Sequence, residues 1–327
     1  MAEWQCPESA KIKKANLLRW IRSPNRNDMT LKQLEAFYWA ATCSSFATAA
    51  ERVHLSVSSL SKRITELEAS LGQVLFDRGG HRATLTEAGS RLVPLAGALL
   101  QQADRLHQEM GSTTGLRGPC RLGVGELTAL TWLPRLATAL ASAHPALELS
   151  VHVDVGEALS ERLDKGELDA AVIAGPASRS ALTSVPLADA AFVWCAAPAV
   201  ADSVRCMDAD ALLRQPLVTL PQGSGVTALV DDWLRQAGSP AVRRLPCNHW
   251  GAIVGLLAHG RGVGLLPQGL AQALGRRQVL QELPSVVPLG RLGYALHSRR
   301  DDVRPLVGEL RSQAALHADF SVADGFF

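Results

Sequence analysis

From Thr30 onward, Leu31, Leu34, Phe37 and Ala41 recur at spacings of three and four, which predicts a helix with one apolar face. Alanine then dominates positions 47 to 50, a segment that ends at Val53, and a short break, "HLS", follows. Next come Val57, Leu60, Ile64, Leu67 and Leu71, spaced 3, 4, 3 and 4, the stripe of an amphipathic helix. Ser56 is a good N-cap for that helix and Gly72 a good stop. Leu75-Phe76 and Thr84-Leu85 flank Gly79-Gly80, which predicts a small β-hairpin. Thr86 then caps a run from Glu87 to about Met110, in which Leu92, Leu95, Leu99 and Leu106 predict a long exposed helix suited to pairing with a second copy. The stretch "GSTTGLRGP", residues 111–119, reads as a linker.

Beyond the linker the pattern changes to alternating strands and helices. "CRLGVG", "LELSVHVDVG" and "LDAAVIAG" are strand-like, with the helices "ALTWLPRLATALASAHP" and "ALSERLDKG" between them. A second block begins near "AFVWCAAP" and repeats the pattern through "GVGLLP", and "RLGYALHS" followed by "DDVRPLVGELRSQAALH" closes the chain. Repeated βα units with apolar strands predict parallel sheets covered by helices. Two such lobes joined by crossing strands leave a ligand cleft between them.

A length of 327 residues fits two or three domains, and 47% apolar with 20% charged residues is a globular balance. No apolar run approaches the roughly 18–20 residues that span a bilayer, so no membrane partner is expected and the localisation read is cytoplasmic. Net charge is only +2, so any affinity for nucleic acid must come from local charge. The six cysteines, Cys6, Cys43, Cys120, Cys195, Cys206 and Cys247, include no CxxC pair and no histidine at ligand spacing. Neither a metal site nor a disulfide framework is expected, and no cofactor. Cys195 and Cys206 are the least implausible redox pair. Residues 1–28, with Lys11, Lys13, Lys14, Arg19, Arg22 and Arg26, read as a basic, weakly ordered extension ahead of a second plausible start at Met29.

The segment from Ser44 to Gly72 is helix, tight break, amphipathic helix, as in a helix-turn-helix. Two packed helices of any α/β protein would show the same periodicity; the outer face of the second helix tilts the balance. With its stripe buried, the first two turns expose Ser58, Ser59, Ser61, Lys62 and Arg63. Small hydroxyls let a helix approach base edges closely, and the cations reach guanine edges or phosphates. Glu66 and Glu68 come later, where a helix entering a groove by its N-terminal end would be leaving it. Arg78, His81 and Arg82 at the hairpin tip would lie as a wing over the DNA backbone.

At this point the chain resembles a known family. "MTLKQLEAFYWAATCSSFATAAERVHLSVSSLSKRITELEASLGQVLFDRGGHRATLTEAG", Met29 to Gly89, is similar to the N-terminal domain of LysR-type transcriptional regulators. It carries the LxQLxxF opening, the SFxxAAxxxxxSxSxLSxxIxxLExxLGxxLFxR core and the LTxAG exit. "RLGVG", "LDKGELDAAVIAG" and "GRGVGLLP" resemble the family's effector domain. The resemblance implies an α/β chain with an N-terminal winged helix-turn-helix (29–87), a long linker helix and hinge (88–117), and a two-lobed, periplasmic-binding-protein-like effector domain (118–327). The lobes would be 118–188 plus 288–327, and 189–287. It further implies a homodimer or homotetramer that bends double-stranded promoter DNA, changes access for RNA polymerase and answers a small-molecule effector. The DNA-contacting residues carried over are Ser58, Ser61, Lys62, Arg63, Arg78 and Arg82. At Val57 the family usually has a glutamine that contacts a base; valine cannot hydrogen-bond, but packs against a thymine methyl or joins the core.

In doubly wound lobes ligands sit at strand C-terminal ends and helix N-termini. That rule selects Glu126, Leu127 and Thr128 after the first strand, Glu157 after the second, Gln222 and Ser224 in the other lobe, and Asn248 and Trp250 before a helix. Thr128 and Asn248 also read as helix caps. A carboxylate at Glu126 favours an effector with a donor, a positive group or a neutral aromatic body over a purely anionic one. An enzyme reading finds no GxSxG, HExxH or HxH pattern, so no catalytic residue is expected. A transport-type binding protein fits poorly with the attached N-terminal module. The alternatives left open are a DNA-binding regulator without a small-molecule effector, and a redox-responsive one.

Overall fold

The computed structural model describes residues 29–79, 83–110, 115–238 and 242–321. The N-terminal unit is built on α1 (Leu31–Thr42), α2 (Phe46–Arg52) and α3 (Val57–Leu71). Each start is capped by a hydroxyl: Thr30 with Gln33 forms a capping box, Ser45 accepts from the Thr48 N–H, and Ser56 accepts from the Ser59 N–H. Gly72, at φ 63°, ends α3 in the left-handed region where glycine is unstrained. Leu34, Phe37, Leu60, Ile64 and Leu67 are buried together, and the Phe76 ring meets the edges of Phe37 and Phe46 at 5.8 and 5.2 Å. A hairpin of β1 (Phe76–Asp77) and β2 (Thr84–Leu85) follows, with Phe76 opposite Leu85. The Thr86 hydroxyl accepts from the Gly89 N–H at 3.0 Å and starts the long α4 (Glu87–Met110).

Helix α1 departs from the expected single face. Residues 36–40 are buried as an unbroken run, whereas Leu31 is 47% exposed. Leu34 and Phe37 serve the helix-turn-helix core; Tyr38 and Trp39, on the other side, lie against the regulatory domain. Leu71, the last residue of the predicted stripe, is exposed as well.

The first lobe comprises β3 (Arg117–Val124), α5 (Glu126–Leu130), α6 (Leu133–Ala143), β4 (Ala146–Val153), α7 (Gly156–Asp164), β5 (Ala170–Ala174) and β6 (Leu182–Ala190). The second holds β7 (Phe192–Ala196), α8 (Pro198–Val204), α9 (Ala209–Arg214), β8 (Leu217–Thr219), α10 (Gly225–Gln236), β9 (Arg244–Pro246), α11 (Trp250–Ala258), β10 (Gly264–Pro267), α12 (Gln268–Arg276) and β11 (Gln281–Leu283). The chain then returns to the first lobe with β12 (Leu292–Arg299) and α13 (Pro305–His317).

The first sheet has the order β4-β3-β5-β12-β6 and is mixed, not parallel as expected. β3 runs parallel to β4 and β5, but β12 is antiparallel to β5 and β6. The crossing strands explain it: β6 leaves the lobe and β12 re-enters it, so neither is fed by a right-handed βαβ crossover. In the second lobe β10 and β11 flank β7 antiparallel, and a Leu217–Val263 bridge joins the parallel pair β8-β9 to them. One apolar cluster runs through both lobes, with Trp132, Trp194, Trp233 and Trp250 fully buried.

The two units also touch directly. Arg52, the last residue of α2, donates through Nε to the Gly166 carbonyl at 2.6 Å and through Nη1 to Asp169. Asp169 also accepts from the Arg121 N–H at 2.7 Å and from Arg304 Nη2 at 2.6 Å, and Arg304 in turn pairs with Asp302. The Trp39 ring sits among guanidiniums, 4.5 Å from the Cζ of Arg52, 4.7 Å from that of Arg304 and 5.8 Å from that of Arg299. Arg299 Nη1 donates to the Thr42 carbonyl at 2.7 Å, and the Ser44 N–H to the Lys165 carbonyl at 3.1 Å. Gly166, at φ +73°, has no room for a side chain: a Cβ there would lie 2.6 Å from Arg299 and 2.9 Å from the Cys43 sulfur. Burial pulls the Asp169 pKa upward, but Arg304 and Arg52 outweigh it and hold the carboxyl at about 2.

Candidate DNA-binding surface and effector cleft

The stripe of α3 points inward, so its opening turns face outward. Val57 (46% exposed), Ser58, Ser59 and Lys62 are exposed, and Ser61 and Arg63 half-buried. Val57 therefore does not join the core, and its methyls are free to meet a thymine methyl. Ser56 gathers the hydroxyls of Ser58 and Ser59, each at 2.9 Å. The two later carboxylates have structural partners. Glu66 accepts from Gln33 Nε2 at 3.2 Å, and Glu68 accepts from the Leu75 and Phe76 N–H groups at 2.8 and 3.2 Å. Glu68 thus ties α3 to the root of the hairpin and lies 3.7 Å from Arg78. The sequence reading missed that role, whose signal is a carboxylate just ahead of a strand that has no pairing partner for its first N–H. His81 and Arg82 lie outside the described residues.

Between the lobes a cavity of about 410 Å³ is lined by Glu126, Leu127, Ser224, Asn248 and Trp250 from the expected set. Thr128 is fully buried and is not on the wall; it lies inside α5 and caps neither that helix nor α6. Glu157 is turned toward Arg179, with which it pairs at 2.9 Å, and Gln222 is exposed away from the wall. Ser224 caps α10, its hydroxyl accepting from the Val226 N–H at 3.2 Å. His249, not Asn248, caps α11, through an Nδ1 that lies 3.4 Å from the Ala252 N–H.

Glu126 spans the cleft. From the first lobe its Oε2 accepts the Trp250 N–H at 2.9 Å, at the N-terminus of α11 in the second lobe, and its Oε1 lies 3.5 Å from His249 Nε2. A carboxylate is favoured at that end of a helix, where N–H groups lack partners. Burial raises the Glu126 pKa, opposed by the Trp250 N–H and His249. The described wall holds two carboxylates, Glu126 and Asp154, and no lysine or arginine; the rest is largely apolar, including Leu130, Ile173, Leu220, Val226 and Tyr294. Ile173 is the penultimate residue of β5 and follows the strand-end rule used above, whereas Tyr294 comes from the crossing strand β12, whose side no local pattern announces.

Strands β5 and β12 run from this cleft to the domain junction. Ala174 and Tyr294, paired with each other, stand at the cavity, while Asp169 precedes β5 and Arg299 ends β12. The described cysteines are free, and burial pushes the Cys120 and Cys195 thiols up to about 12. No helix among the described residues is long and apolar enough to cross a membrane.

The two halves of this architecture each match a family model. Residues 31–90 match the bacterial regulatory helix-turn-helix protein of the lysR family, and residues 113–316 the LysR substrate binding domain. A probable hydrogen peroxide-inducible genes activator of Mycobacterium avium is 33% identical over 86% of this chain and 94% of its own length. The HTH-type transcriptional regulator YofA of Bacillus velezensis is 30% identical over 77% of this chain and 86% of its own length. Among solved structures, a full-length OxyR from Pseudomonas aeruginosa superposes with a TM-score of 0.58 at 26% identity, covering 89% of this chain and 99% of that one. ArgP from Mycobacterium tuberculosis, at 20% identity, shares the fold with a TM-score of 0.61 over 87% of this chain and 96% of its own. A hydroxyl-and-cation helix face, a long helix and a two-lobed cleft, matched across nearly the whole chain, make this protein a member of the LysR-type family of DNA-binding transcriptional regulators.

Proposed function

We propose that this regulator reads promoter DNA through Val57, Ser58, Ser61, Lys62 and Arg63, with Arg78 and Arg82 on the flanking backbone, and that its cleft holds a small apolar effector bearing an amine or other hydrogen-bond donor. The carrying observation is Glu126, whose carboxylate already occupies the N-terminus of α11, where an anionic ligand would otherwise bind. With Asp154 as the other carboxylate and no lysine or arginine on the described wall, an organic anion meets like charge, whereas an ammonium group finds two partners. Such a ligand competes with Trp250 and His249 for Glu126, which changes how the lobes hold each other. We assign RNA polymerase access and a homodimer or homotetramer to the same mechanism. The exposed Leu95, Leu99 and Leu106 on α4 support self-association.

The peroxide response in the names of the mycobacterial relatives would require a reactive thiol. The described cleft wall contains none and burial keeps Cys195 protonated, while Cys206 and Cys247 are free and half-buried and keep the redox-responsive reading open. A thermal-shift screen of the full chain tests the effector reading with two sets of compounds, small apolar amines and small dicarboxylates. The expected result is a rise in Tm with amines that is lost in Leu130→Trp, which fills the cleft. A rise with dicarboxylates that survives Glu126→Ala overturns the assignment.

A further inference from the structure

The junction between the DNA-binding unit and the regulatory domain encloses a second cavity, of about 550 Å³, at the opposite ends of β5 and β12 from the cleft. Tyr38, Trp39 and Arg52 line it from one unit, and Val303, Arg304 and Leu306 from the other. Arg52 is buried at 8% exposure, and although its Nε and Nη1 are engaged, its Nη2, itself covered from solvent, has no acceptor among the described residues, so a ligand oxygen meets it only after a small turn of the guanidinium. A buried charged donor left without an acceptor is costly, and the cost is relieved by any ligand oxygen that reaches it. The wall itself shows three guanidiniums, those of Arg52, Arg117 and Arg304, and one carboxylate, Glu35, among the described residues, with Asp169 and Asp302 paired to Arg52 and Arg304 from behind it. Between them the surface is apolar and aromatic.

We infer that this cavity is a second ligand site, for a small organic anion with an apolar ring body. Its acid oxygens would accept from Arg52 Nη2, and its ring would lie against Tyr38, Val303 and Leu306. Such a molecule contacts both units at once, so it ties the DNA-binding unit to the regulatory domain independently of what fills the cleft.

Fluorescence titration of the full chain tests this with 1-anilinonaphthalene-8-sulfonate and with N-phenyl-1-naphthylamine, which has the same rings and no sulfonate. The expected result is saturable binding of the sulfonate, one per chain, at least about tenfold tighter than the uncharged probe. Val303→Trp, a substitution at a half-exposed position (54%) on the cavity wall, is expected to weaken the sulfonate by about tenfold or more, while Leu130→Trp in the cleft leaves it unchanged. Equal affinity for both probes, or undiminished sulfonate binding to Val303→Trp, overturns the inference; so does loss of binding in Leu130→Trp alone.

Discussion

Arg52 and Asp169 form an ion pair across 117 residues of sequence, with side chains only 4% and 0% exposed. One belongs to the helix-turn-helix, the other immediately precedes strand β5 of the regulatory domain. The pair joins a network in which Arg304 and Trp39 also take part.

Removing one partner from a buried pair leaves the other charge uncompensated, which is worse than never having had the pair. Asp169→Asn leaves Arg52 without a carboxylate partner and Arg304 with Asp302 alone, and is expected to lower stability by about 3–5 kcal/mol. Urea denaturation followed by tryptophan fluorescence checks this. Arg52→Ala, which leaves Asp169 with Arg304, is expected to cost less.

The same carboxylate sets an acid limb of stability. Its pKa falls from an ordinary 3.8 to about 2 on folding, so its contribution is complete above 3.8 and is lost as pH drops through about 2. The difference is worth on the order of 2–3 kcal/mol, roughly half of it gone by pH 3. Unfolding curves at pH 5, 4 and 3 are expected to converge between wild type and Asp169→Asn as the pH falls. Parallel curves would assign the acid sensitivity to other carboxylates.

Lys62 is exposed on α3, the helix proposed to read DNA. Lys62→Ala is expected to weaken operator binding by about 1–3 kcal/mol where it reads a base. A loss equal on all sequences, with a salt slope smaller by about one, assigns it to phosphate alone. Val57→Gln is expected to change the preferred bases at one position of the site, with Tm unmoved, because Val57 is at the surface. Binding selection from a randomised operator library reads out both.

Leu95 and Leu99 lie one turn apart on α4, 61% and 46% exposed. Placing Glu at both is expected to give a monomer by light scattering, with operator affinity reduced by tenfold or more because paired half-sites are no longer bound together. An unchanged oligomer would move the self-association surface elsewhere.

The sequence exposes what is encoded locally. The spacing from Val57 to Leu71, the Ser56 cap and the Gly72 stop lie within one helix, so α3 and its outer face are legible without any tertiary information. Strand-end and helix-start rules likewise reach Glu126, Leu127, Ser224, Asn248 and Trp250. The same rules misplace Thr128, which faces the interior of the first lobe, and Glu157, which turns to Arg179. Strand β6 escaped notice because its burial is graded and its pairing slips by one residue at Leu187, next to Pro186, opposite Tyr294 and Ala295. The domain junction is the least legible of all. Arg52, Asp169 and Arg304 each read as an ordinary surface charge, and Trp39 as one more apolar residue, until the fold brings them within contact.

The charges around Trp39 are contributed by both halves of the chain, which limits how the protein can be taken apart. A chimera that grafts another reader onto this sensor, without an arginine at the end of its second helix, leaves Asp169 with Arg304 as its one remaining guanidinium. The reciprocal graft delivers Arg52 to a surface with nothing to receive it. Recombining such regulators is therefore a matter of matching two halves of a lock, and a cut placed in the hinge alone respects only the covalent boundary.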